Sequence, residues 1–162
     1  MIVSLCWLCG WMTIIVCIDA TVAMRWAGVW SACHWGLVTA LGIGLWRRPS
    51  EALASGLWGG LLTDCLTASA FGSSMVGFAL VAWGTTKLRR HLYKEHPLVQ
   101  MALAGAAVMA GWLIGWYFAR AGEVAMGSFG RWVWPAVLSS LLTALVAPLW
   151  LRVVRPMVVR GW

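Results

Sequence analysis

The sequence predicts an all-α integral membrane protein of about six transmembrane helices, with both termini in the cytoplasm and no soluble domain. Three observations carry this. Hydrophobic residues make up 62% of the chain and charged residues only 10%, against roughly 25% charged in an ordinary soluble domain. Charges and turn residues cut the 162 residues into apolar stretches near 3–24, 29–46, 51–70, 72–87, 97–119 and 131–151, most of them close to the ~20 residues that span hydrocarbon. Lys and Arg are also distributed one-sidedly between those stretches. Arg47, Arg48, Lys87, Arg89, Arg90, Lys94, Arg152, Arg155 and Arg160 fall on one side, and only Arg25, Arg120 and Arg131 on the other. Basic loops stay in the cytoplasm during insertion, so the first side is inside. The connections left over are too short for a catalytic domain, and residues 1–162 read as one polytopic membrane domain. The net charge of +7 is explained by topology, which excludes a nucleic-acid role.

The first stretch has no basic segment before it and no small-residue cleavage site, so it is expected to stay as a helix. It carries Asp19, and also Cys6 and Cys9, whose Cys-x-x-Cys spacing lacks both the strand context of a redox dithiol and the second cysteine pair of a zinc site. The second stretch carries His34 near its outer end. The third is rich in glycine, with Gly56 and Gly60 one helical turn apart and Asp64 a turn further on. Only the small-residue patch from Ala68 to Ser74 separates it from the fourth, which makes that junction either a tight hairpin or the tip of a re-entrant pair. The basic cluster Lys87, Arg89, Arg90 and Lys94 follows, an anchor for topology that could also attract anionic lipid or an acidic surface. The fifth stretch has small residues at helical spacing in Ala102, Ala106 and Ala110 and in Gly111 and Gly115. Such faces let helix backbones approach closely, or offer a docking face to a partner helix or a second copy of the chain. The sixth contains Pro148.

Asp64 is the most informative residue, because an ionisable group inside a span costs ~3 kcal/mol or more unless it is paired, hydrated or protonated. By position along their helices, Asp19, His34 and Asp64 fall at a similar outer depth. If they converge they form a structural polar cluster, a proton or solute pathway, or a metal site, and the structural cluster is preferred. No Gly-x-Ser-x-Gly and no phosphate-binding glycine loop is present. No catalytic residue, cofactor or metal is therefore assigned, and the chain is not expected to be an enzyme.

In the middle of the chain Arg47-Arg48-Pro49 leads into Gly60-Leu61-Leu62-Thr63-Asp64, followed by small residues up to Phe71-Gly72 and then the basic loop from Lys87. Pro97-Leu98-Val99-Gln100 opens the fifth stretch and Thr143-Ala144-Leu145-Val146-Ala147-Pro148-Leu149 lies in the last. In this order the motifs resemble those of the MreD family of rod shape-determining proteins. The residues that carry the likeness are thus Gly60, Asp64, Gly72 and Pro148. Ala68 stands where the family usually has glycine, and a Pro-acidic pair common before the second helix is missing around Trp30 to Ala32. The resemblance implies a multi-pass protein of the bacterial inner membrane. It also implies a non-enzymatic scaffold role in cell elongation and peptidoglycan synthesis, exercised by binding MreC and through it MreB, RodA and a class B penicillin-binding protein.

The competing reading is a substrate-binding membrane subunit of a vitamin-type transporter, with Asp19, His34 and Asp64 lining an outward pocket. Ala23 and Ala27 have the spacing of the coupling motif of such subunits, but they lie at the outer end of the first helix, which counts against it.

Overall fold

The computed structural model describes residues 2–25, 33–67, 71–89, 96–121 and 129–159. All regular structure among them is helical: α1 (Ile2–Arg25), α2 (Trp35–Trp46), α3 (Pro49–Leu66), α4 (Ser73–Leu88), α5 (Pro97–Ala121) and α6 (Phe129–Val159). Three segments, Val3–Thr21, Pro97–Ala121 and Val133–Val159, are long and apolar enough to cross a membrane, and α2 is a shorter apolar helix.

Several boundaries differ from the hydropathy limits, each for a local reason. In the second stretch Cys33 and His34 are not helical, and helix begins only at Trp35 after an N-cap His34 at φ −89°, ψ 78°. α3 stops at Leu66 rather than 70 because Thr67 turns to extended backbone at φ −105°, ψ 136°. α6 runs on to Val159, well beyond 151. Arginine is a good helix former, so Arg152 and Arg155 end the apolar run without ending the helix.

The 12 residues of α2 make a rod only about 18 Å long, well short of a ~30 Å hydrocarbon core. Gly36 to Leu45 are all buried, and α2 packs against each of the other five helices. It is the axis of the fold, apolar on every side because no side of it meets solvent or lipid. Leu8 and Met12 of α1, Phe78 of α4, Val108 of α5 and Leu151 of α6 close the core around Leu41 and Ile43. On the outside, Val3, Leu98, Tyr117, Leu141, Leu145 and Leu149 are each more than half exposed. An outer surface this apolar suits lipid as solvent.

Glycines set how closely the helices around α4 approach. A Cβ on Gly44 of α2 would lie 2.7 Å from the Ala82 carbonyl oxygen, and one on Gly56 of α3 2.9 Å from that of Phe78. Ala102 and Ala106 behave differently: both face outward. The small-residue spacing of α5 therefore does not make a tight internal seam at those positions.

Side-chain bonds show that α1 and α3 run opposite to α2, α4 and α6. At one end, where α2, α4 and α6 finish, Ser4 Oγ of α1 donates to Glu51 Oε1 of α3 at 3.4 Å. Arg47 Nε donates to Val158 O of α6 at 2.8 Å, and Arg89 Nη1 donates to Arg47 O. The opposite end is where α1 and α3 finish and α2 and α4 begin; the carboxylates Asp19 and Asp64 lie there.

Candidate functional site

The first turn of a helix leaves backbone N–H groups with no partner in the helix itself. α4 faces this problem directly, since Gly72, Ser73 and Ser74 open it and no side chain of its own caps it. Asp64 reaches across from α3 and supplies what is missing. Its Oδ2 accepts the amides of Gly72 at 2.9 Å and Met75 at 3.2 Å, and its Oδ1 accepts that of Ser74 at 3.0 Å. A buried carboxyl group thus closes the positive end of a helix by accepting its first-turn amides. This gives Asp64, only 5% exposed, the reason for its position.

Two glycines make the approach feasible. Gly72 sits in the left-handed region at φ +94°, ψ −16°, where glycine carries no Cβ penalty. Gly60 lies one turn before Asp64 on the same face of α3. A Cβ there would meet Met75 Cα, the Ser74 carbonyl oxygen at 2.6 Å and the Met75 nitrogen at 2.7 Å. Gly60 lets the start of α4 come in, and Asp64 holds it.

Asp19 performs the same service for α2. Its Oδ2 accepts the Gly36 amide at 3.3 Å, and at the other end of α2 the Arg89 guanidinium binds the Arg47 carbonyl, the C-cap of that helix. The buried central helix therefore has a negative side chain at its positive end and a positive one at its negative end. His34 is the residue preceding α2, and its ring lies edge-on to Trp112 at 6.3 Å. Each of the two carboxylates thus accepts amides at a helix start, Asp19 at α2 and Asp64 at α4. Among the described residues no three of His, Cys, Asp and Glu stand close enough to hold a metal ion. Replacing Asp19 with alanine removes its bonds to the first amides of α2, and a loss of about 1 kcal/mol, the usual worth of a cap, is expected in detergent melting experiments. That is less than the loss expected for Asp64.

At the opposite end, Lys87 stands over the Trp83 ring at 5.7 Å, while Arg89 is drawn inward to α2. Arg90 and Lys94 lie outside the described residues. Sequence reasoning passed over Glu51, which is buried and pairs with Arg47 at 3.8 Å. The signal was present: Pro49 at the start of α3 followed by an acid in the first turn is a helix-start signature. Pro148 lies within α6, as do Pro135 and Pro156. A membrane helix tolerates such prolines because neighbours re-satisfy the freed carbonyls. Two residues later, Trp150 donates to Thr39 Oγ1 of α2 at 3.0 Å.

The family model described as rod shape-determining protein MreD matches residues 1–155. The chain belongs to the MreD family. No curated protein and no solved structure matches it. Membership gives the chain a role in rod-shape determination. Together with three helices long and apolar enough to cross a bilayer, it makes this a membrane protein. The features that resemble MreD in the middle of the chain have a physical meaning here, since Gly60, Asp64 and Gly72 are the three parts of one helix-capping joint.

Proposed function

We propose that this MreD-family protein is a non-enzymatic scaffold of the bacterial cell-elongation machinery. It binds MreC within the inner membrane and through it supports MreB, RodA and a class B penicillin-binding protein. The observation that carries this reading is the family match over residues 1–155. The local chemistry supports it: the intramembrane carboxylates accept backbone amides and so are used in holding helices. The work of such a protein falls to its helix surfaces, where van der Waals packing and interhelical hydrogen bonds drive association in lipid. Six crossings with both termini in the cytoplasm complete the proposal, supported by the one-sided basic residues and by α1 and α3 running opposite to α2, α4 and α6. Asp19, His34 and Asp64 serve the fold and not a transported solute.

Depletion from a rod-shaped host without a second copy tests the function. Cells are expected to become round under a microscope with no new nutrient requirement. Rods that keep their shape but need a supplied vitamin would overturn the proposal and favour the transporter subunit.

A further inference from the structure

The geometry points to a binding surface for anionic phospholipid headgroups at the end of the bundle where α2, α4 and α6 finish. Six basic side chains are described there, Arg47, Arg48, Lys87, Arg89, Arg152 and Arg155, against one described acid, the buried Glu51. Arg47 and Arg89 are drawn into the fold, where they bind backbone carbonyls at helix ends. Arg48, Lys87, Arg152 and Arg155 remain exposed, so the surface carries an excess of positive charge facing outward.

What distinguishes a lipid surface from an acidic protein is the apolar material between those charges. Trp83 and Leu88 flank Lys87, and both are 47% exposed. On α6, Val153 at 54%, Met157 at 36% and Val159 at 56% alternate with the two arginines. Large apolar side chains interleaved with long basic ones suit the boundary between headgroups and acyl chains, where the stems lie in hydrocarbon and the charges rise to the phosphates. Depth agrees. The 31 residues of α6 extend about 46 Å, longer than a ~30 Å hydrocarbon core, so its last turns stand at headgroup level. A phosphodiester there would accept hydrogen bonds from the exposed guanidinium groups of Arg48 and Arg152.

The test is native mass spectrometry of the full-length protein equilibrated with equal amounts of phosphatidylglycerol and phosphatidylethanolamine. The wild type is expected to retain the anionic lipid preferentially, by about five-fold for each participating basic residue. The triple variant Arg48→Gln, Lys87→Gln, Arg152→Gln should lose most of that preference. The charge-preserving exchange Arg48→Lys, Lys87→Arg, Arg152→Lys should keep it. Circular dichroism checks that each variant is helical, and if the triple variant does not fold, Lys87→Gln alone should lower the ratio about five-fold. Equal retention of the two lipids by the wild type, or an unchanged ratio in the glutamine variants, would overturn the proposal. So would an unchanged lipid ratio together with release of an acidic protein partner, which would assign the surface to that partner.

Discussion

Replacing Asp64 with alanine is expected to open the joint between α3 and α4 and to cost about 3 kcal/mol of stability, more than any other single polar truncation among the described residues. Two magnitudes bear on this figure. Interhelical hydrogen bonds in membranes average only ~0.6 kcal/mol, because groups separated in the membrane find other partners. Amides at a helix start have fewer alternatives, and a buried amide left without its acceptor costs ~1–3 kcal/mol. Asp64 accepts three such amides, so the larger scale governs even after allowing for non-additivity. Asparagine should be intermediate. It keeps one oxygen, which can still serve Gly72 and Met75, but it turns an NH2 group toward the Ser74 N–H, for a loss of about 1–2 kcal/mol. Leucine should behave like alanine or worse. Denaturation in mild detergent, followed by circular dichroism, orders the three variants.

Gly60→Ala should be comparably damaging, although it adds only a methyl group. The atoms that the methyl would strike belong to the backbone of Ser74 and Met75, which no rotamer change can move. The helices must separate, and separation lengthens the bonds to Asp64. A cost of about 3 kcal/mol, the upper part of the overpacking range, is expected. Gly115→Ala is the matched control, because a Cβ there meets nothing within 4 Å; it should be neutral or slightly stabilising through helix propensity. Since Gly60 and Asp64 act on the same approach of α4, the double variant Gly60→Ala, Asp64→Ala should cost clearly less than the sum of the singles. Strict additivity would show that they do not form one joint.

Both residues were visible in the sequence, but their relation was not. Hydropathy identified apolar segments, because an apolar run long enough to cross lipid is a one-dimensional property. It misplaced the end of α6, since the change of solvent at Arg152 does not interrupt backbone hydrogen bonding. It also gave no hint that α2 would be the buried axis: an apolar helix facing lipid and one facing other helices have the same composition. Asp64 announced itself through its cost of insertion. Its partners did not, because they are main-chain amides and the acceptor belongs to a different helix. Position along the helices put Asp19, His34 and Asp64 at a similar depth, yet depth leaves the direction around each helix open. The start of the next helix decided what each carboxylate faces.

The most direct test is amide hydrogen exchange at Gly72, Ser74 and Met75 in the full-length protein reconstituted in lipid nanodiscs, comparing the wild type with Asp64→Ala. These amides should exchange slowly in the wild type and lose protection in the variant, while the amides of the α5–α6 pair stay slow. Equal exchange of the three in both proteins would mean that Asp64 does not hold the start of α4, and the account of the Gly60–Asp64 joint would fail.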